Sequence, residues 1–338
     1  MSKISATIVA DSINSQGDRL TSLLITFPRI LLSEINTHRM LSKNTSSSRA
    51  IPFNKMIEAV MENPFIPIAW QKNHSGMQGT EYFTNPLDIQ YLIDTHLQGR
   101  DAAVQSARLK STKGLTKQLC NRDLEPYMWT TMLITGSKEG WDNFFNLRCS
   151  SYIIQGSEGV ESIPYKSKKE IFDFIHDVEH PIWSYTDLDW LKINKGQAEI
   201  HMMALAECIY DAVNESTPKL LEMNQWHIPF IDKINYVPKN IINGVDFLTQ
   251  AEINISVALA ARTSYTVVGE EKTIDYKAMI NLHDRLLTQD PPHSSPFEHT
   301  CIAVTQEEYD TSLKGQEKGW FRNYKGFKSY RQIIEESK

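Results

Sequence analysis

The stretch Thr37-His38-Arg39-Met40-Leu41-Ser42-Lys43-Asn44-Thr45-Ser46-Ser47-Ser48-Arg49 concentrates more chemistry than any other part of the chain. It brings two arginines, a histidine, an asparagine and a row of hydroxyls into one short segment. Such a set suits an anionic ligand. Hydroxyls and free backbone N–H groups cradle phosphate oxygens, and a guanidinium fork grips them in a bidentate way. An asparagine both donates and accepts, as the edge of a heteroaromatic ring requires. By composition alone the same stretch reads as a serine-rich surface loop after a helix.

The elements that must hold this segment follow from periodicity. Leu20 to Phe27 reads as a strand bounded by Gly17-Asp18 and Pro28. Pro28 suits a helix start, and Leu31, Leu32 and Ile35 give an apolar stripe. His38 and Ser42 continue that stripe, so the helix is expected to run to about Ser42 and to put both on one face. The Ser/Asn segment then reads as a loop held against a rigid helix, ended by Pro52. Helices are expected over 54–62, 87–120, 197–213, 245–265, 276–288 and 325–336, with a long loop over 63–86. Thr300 to Thr305 reads as a strand, while Tyr127 to Ile134 is ambiguous between strand and helix. Residues 150–195 look inserted into a single domain spanning 1–338. The pattern predicts an α+β fold with helices packed on a twisted sheet, which the family resemblance set out below would make mostly antiparallel.

The 338 residues are 41% hydrophobic and 22% charged, which marks a globular chain with room for a large core. A formal net charge of -6 argues against a general nucleic-acid binder. Neither a signal peptide nor a membrane-spanning stretch is legible, so a cytoplasmic protein is expected. The cysteines Cys120, Cys149, Cys208 and Cys301 form no C-x-x-C pair, so no zinc site or disulfide framework is signalled. His176 and His180 stand at helical i,i+4 spacing, but two histidines read first as a solvated face. Trp226-His227-Ile228-Pro229-Phe230 reads as packing, and His299 as a core histidine.

The spacing of His38, Arg39, Ser42, Asn44, Ser47 and Arg49 resembles the R-H-R-x-x-S-x-N-x-x-S-x-R signature of the flavin-dependent thymidylate synthases, the ThyX family. Only the first arginine is absent, with Thr37 in its place. Asn143-Phe144-Phe145-Asn146-Leu147-Arg148 is similar to the family's N-F-x-N-L-R run, and Gln197-Ala198-Glu199-Ile200 to its A-Q-x-E-I helix. Arg122-Asp123-Leu124-Glu125-Pro126 resembles its Arg-x-x-x-Pro segment. Ala261-Arg262-Thr263-Ser264-Tyr265 and His293-Ser294-Ser295-Pro296-Phe297-Glu298-His299 resemble A-R-x-S-Y and H-x-S/T-P-F-E-H. In ordinary members the last two precede the signature, whereas here they follow it. The resemblance therefore implies a ThyX-like fold in circularly permuted order, as in a diverged branch often met in phage genomes, where the host cytoplasm would be its place.

The resemblance implies an enzyme that builds the C5 methyl group of thymidylate on dUMP. Its carbon would come from methylenetetrahydrofolate, and its electrons from FAD reduced by NADPH. By residue, Ser47, Arg49 and Arg122 would hold the nucleotide phosphate. Arg148 would face the pyrimidine and stabilise charge developing on it, with Ser47 beside it as the second residue carried over to catalysis. His38, Arg39, Asn44, Asn143, Leu147, Ser264, His293 and Ser295 would line the flavin site. A homotetramer with shared sites is implied, and no metal. The residues also admit rival roles: Arg49 and Arg122 as solvated or paired surface arginines, Arg148 as the partner of a structural carboxylate, Ser42 as structural and His293 as the cap of a proline turn.

Departures from the signature fall in the pocket. Thr37 replaces an arginine, Thr45 a glutamate, and Glu34 stands where the family usually has a glutamine. A carboxylate near a phosphate is repulsive unless protonated or paired. It is also a natural acceptor for an exocyclic amine, so dCMP as substrate, or hydroxymethyl in place of methyl transfer, stays open. A nucleotide- or flavin-binding protein without catalysis is the reading from another class.

Overall fold

The computed structural model describes residues 3–76, 79–154, 164–175, 181–234, 247–268, 270, 273–290, 293–315 and 317–337. Strand β1 (Ser5–Asn14) turns back into β2 (Arg19–Pro28) through a hairpin in which Gly17 takes φ +88°. Asn14 closes the turn by accepting from the backbone N–H of Gln16 and Asp18 at 3.1 and 2.8 Å. β3 (Ser42–Thr45) and β4 (Trp129–Ser137) complete the core sheet. The order is β3-β4-β2-β1 with Lys219–Leu221 outside β1, every pairing antiparallel except that last one. The ambiguous run from Tyr127 resolves as the inner strand β4, between β3 and β2, where Thr and Ile suit a pleated surface. β1 was not foreseen: SATIVADSIN mixes acidic, hydroxyl and apolar residues, and its burial is mostly partial.

Because successive strand residues alternate faces, β2 and β4 are buried on both. On one face Leu23, Ile25, Phe27, Met132 and Ile134 form a cluster with Trp141, Phe144, Phe145, Met202, Leu205 and Ile209. These helical partners come from Lys138–Arg148 and Ile200–Glu215. Each fully buried side chain of this kind contributes roughly 1.5–3 kcal/mol. On the other face Leu133 meets Phe230 and Ala260, the latter from the helix Phe247–Arg262. Beside them a smaller sheet orders Phe327–Ser329, Cys301–Ala303 and Trp226–His227.

Several boundaries depart from the periodicity. The first helix ends early, covering only Leu32–Asn36. Thr37 caps it by donating its hydroxyl back to the Glu34 carbonyl at 2.7 Å. Ser42–Thr45 then pairs with β4, with Ser42 opposite Thr135 and Asn44 opposite Leu133, so the expected loop is partly an edge strand. The long helix stops at Thr112, and a separate turn covers Lys117–Cys120. The C-terminal helix starts at Tyr330 rather than near 325, because Gly326 takes φ +72° and the residues after it pair with Cys301–Ala303. The segment taken as inserted carries the helices Lys168–Phe174 and Asp187–Ile193 over its own cluster of Tyr152, Ile171, Ile182 and Trp190. His176 and His180 lie outside the described residues. Among the described residues no helix is long and apolar enough to cross a membrane.

Candidate functional site

Three groups of the singled-out residues flank β3. The first is the loop that follows it. Ser46 closes the strand by donating its N–H to the Thr131 carbonyl at 2.8 Å and sharing a 2.7 Å hydroxyl contact with Thr130. The loop then folds on itself, Ala50 and Ile51 donating to the Ser47 carbonyl at 3.0 and 3.1 Å. Asn121 pins it by donating to the carbonyls of Ser48 and Ile51 at 2.7 and 3.1 Å. That contact holds the segment carrying Arg122 against the loop carrying Ser47 and Arg49. Both arginines reach solvent: Arg49 donates to Gln118 at 3.2 Å, and Arg122 stands 3.6 Å from Glu125. Spacing gave no sign of Arg29, whose buried guanidinium donates to the Ser46 carbonyl at 2.7 Å. Burial holds its pKa below the ordinary arginine value, Glu125 opposes that shift and Arg122 adds to it. A cavity of about 280 Å³ opens beside this loop, lined by Ser46, Ile51, Met56, Val60, Met128 and Val267 among others.

The second group gathers at the C-terminus of Lys138–Arg148, where the helix dipole favours a cation. Arg148 Nε donates to His38 Nε2 at 2.9 Å, and a terminal nitrogen of the same guanidinium donates to Glu34 at 3.2 Å. His38 Nε2 is therefore the acceptor, which puts the imidazole proton on Nδ1. Burial, then Arg148, then Lys43 lower the His38 pKa to about 4, so this acceptor role persists at neutral pH. The His38 ring stands edge-on to Phe144 with centroids 4.9 Å apart. Lys43 donates to the His38 carbonyl at 2.6 Å, and burial brings its own pKa to about 8, against the pull of Glu298. Arg148 thus has the structural carboxylate that the sequence held open, and the unusual Glu34 is paired. Asn143 and Leu147, four apart on the helix, are exposed, Leu147 at 57%. Arg39 is exposed too.

The third group joins distant parts of the chain. Asn44 is buried, donates to the Ala260 carbonyl and accepts from the Ser295 hydroxyl at 3.5 Å. Ser47 N–H donates to the Ser264 carbonyl at 2.9 Å. The edge strand thereby meets both C-terminal motifs. His293 is not drawn in: it is exposed, and its backbone N–H donates to Leu286 at 3.3 Å. His299 and His227 are more than packing. Ser12, His227, Ser22, Thr135 and His299 form a buried chain of side-chain hydrogen bonds with steps of 2.9, 2.8, 2.6 and 2.8 Å. Burial lowers the pKa of His227 to about 4 and of His299 to about 3, with His227 adding to the shift of His299.

No family model matches the chain, and no curated protein does. Among solved structures it is similar to UMP/dUMP methylase PolB from Streptomyces cacaoi bound with 5-Br dUMP, at 12% identity and a TM-score of 0.36, over 48% of this chain and 84% of that one. With 5-Br UMP bound, the same methylase matches at 14% identity and a TM-score of 0.36, over 44% and 78%. The functional reading rests on the motifs and on the geometry around β3.

Proposed function

We propose that this chain is a flavin- and folate-dependent thymidylate synthase, transferring a one-carbon unit from methylenetetrahydrofolate to C5 of dUMP, with circularly permuted motifs. The observation that supports it is the junction at β3. Asn44 and Ser47 touch Ala260, Ser264 and Ser295, three positions more than two hundred residues away in sequence. Motifs scattered by permutation are expected to reassemble in this way if they serve one site, since permutation leaves a core intact when the old termini lie close together.

The residues present fit a flavin. Ser264 and Ser295 would offer hydroxyl groups to a heteroaromatic edge, Asn44 would hold Ser295 and the Ala260 carbonyl in place beside it, and Arg39 would offer charge to a diphosphate. Asn143, Leu147 and the His38 imidazole would extend the seat. When bound, FAD supplies reducing equivalents originating in NADPH. The chain's own contributions are binding and electrostatics. Ser47, Arg49 and Arg122 hold the nucleotide phosphate. Arg148, fixed by His38 and Glu34, presents a preorganised cation to charge developing on the pyrimidine. His38 stays neutral and orients that guanidinium without competing for the ligand.

A second reading is favoured by one observation. Glu34 places a carboxylate 3.2 Å from the arginine assigned to the base. Such an acceptor suits the exocyclic amine of dCMP, and a hydroxymethyl product is equally consistent with the fold. Conversion of dUMP to thymidylate with methylenetetrahydrofolate and NADPH supports the first reading, and turnover of dCMP alone replaces it with the second. A flavin spectrum recorded with each nucleotide tests both. A protein that binds flavin and nucleotide with no turnover of either is a binding protein without catalysis.

A further inference from the structure

The anion cradle already contains an anion. Glu125 Oε1 accepts from the Ser48 hydroxyl at 2.7 Å, lies 3.4 Å from Arg29 and 3.6 Å from Arg122. These contacts are unequal. Only the Ser48 bond has full hydrogen-bond length. The arginine contacts are long and converge on one oxygen, whereas a strong arginine–carboxylate pair is bidentate at about 2.7–2.9 Å. Arg19 shows that stronger form, gripping both oxygens of Asp11 at 2.9 and 2.6 Å. Arg29 is held independently by the Ser46 carbonyl, so it cannot leave the loop cheaply. Arg122 has no second anchor among the described residues, and its side chain is 55% exposed.

The two neighbouring serines are prepared differently. Ser48 spends its proton on Glu125. Ser47 Oγ accepts from the Arg49 N–H at 3.2 Å, which leaves its own O–H to donate elsewhere. Two guanidinium groups, Arg29 and Arg122, therefore face one internal carboxylate, and Arg49 and an uncommitted hydroxyl stand on the same loop as Ser48. The charge balance calls for a further anion, of the phosphate-monoester class.

We propose that Glu125 is the resident counter-anion of this cradle, holding Arg122 through a loose monodentate contact until Arg122 exchanges it for the substrate's phosphate. This rests on the assignment of Ser47, Arg49 and Arg122 to a nucleotide phosphate and deepens it. Glu125 is a positioning residue that sets the affinity of the site. Its carboxylate keeps the loop ordered when empty and competes with the incoming phosphate for Arg122, which keeps binding reversible. Ser48 and Arg29 stay with Glu125 throughout, so the exchange involves one side chain.

Isothermal titration of the full chain with dUMP and with inorganic phosphate tests this in wild type, Glu125→Gln, Arg122→Ala and the double variant. Glutamine keeps an acceptor for Ser48 and removes the charge. Glu125→Gln is expected to bind both probes about fivefold tighter, the scale of one charge contact at high effective dielectric that Arg122 no longer gives up. The gain should vanish when Arg122 is already alanine, because the two substitutions act on one contact. Binding by Glu125→Gln that is unchanged or weaker overturns the proposal, as does a gain that survives without Arg122. If Glu125→Gln melts below the assay temperature, a wild-type crystal with dUMP decides. The Arg122–Glu125 separation must then exceed the ion-pair limit of about 4 Å, and an intact pair beside bound phosphate overturns the exchange. A wild type that binds neither probe removes both this inference and the proposed function. A wild type that binds dUMP while Glu125→Gln gains nothing removes the exchange alone.

Discussion

Lowering the pH from 7 to 5 should destabilise this protein through its buried histidines. His38, His227 and His299 are all buried, with folded pKa values of about 4, 4 and 3 against 6.5 for an ordinary histidine. As pH falls through 6.5 the unfolded chain takes up three protons that the folded chain refuses. The stability these neutral rings contribute is complete above that pH and drains away toward pH 4. Between pH 7 and 5 linkage gives roughly 2 kcal/mol for each ring and about 6 kcal/mol together. That is comparable with the whole stability of a domain, about 5–15 kcal/mol. Burial raises the pKa of Asp18 and Asp211, which works the other way, and lowers that of His283, which works with the three rings. The assay is therefore comparative: urea denaturation of wild type and His227→Gln at pH 7, 6 and 5. The variant should be weaker at pH 7, having lost contacts to Ser12 and Ser22, yet should lose about 1 kcal/mol less per pH unit across this range. Parallel pH dependences in the two proteins would falsify the claim that His227 is held neutral.

Other outcomes test the site. Arg49→Ala should weaken dUMP binding about tenfold with little change in turnover, while Arg148→Ala should lower kcat as well, read from steady-state kinetics. Asn44→Ala should cost about 1–3 kcal/mol in denaturant melts, because the Ala260 carbonyl loses its buried donor, and should also loosen flavin binding measured by fluorescence. Native mass spectrometry should give a homotetramer, and a monomer with full turnover would exclude shared sites.

Much of this arrangement was legible because spacing survives where element type does not. The positions from His38 to Arg49 pointed to one anion-binding unit, although the secondary structure read through them was wrong. Helical periodicity over Leu31, Leu32, Ile35 and His38 ran on past the true helix end because it ignores what Thr37 does with its hydroxyl. Ser42–Thr45 was invisible as a strand because its partner is β4, some ninety residues away, and four polar residues carry no period-two signal of their own. Arg29 and Glu125 were missed for the same reason. Their meaning lies in each other and in Ser46 and Ser48, contacts that no local pattern encodes.

The strand that periodicity missed is what divides the work of the signature. A strand alternates its side chains. Ser42 and Asn44 therefore share the face of their partners Thr135 and Leu133, where Asn44 meets Ala260 of the helix Phe247–Arg262 and the turn at Ser295, while Lys43 reaches back to the His38 carbonyl. Four strand residues rise about 13 Å, which sets the His38–Arg148 group at one end of β3 and the Ser47 loop at the other. A single continuous motif thus supplies two ends of the proposed site and its floor. A loop of the same composition would have lacked the rigidity to keep Arg148 and Arg49 in fixed relation. Pairing with β4, itself buried on both faces, provides it, which is why substitutions beneath β3 should disturb ligand geometry before they unfold the chain.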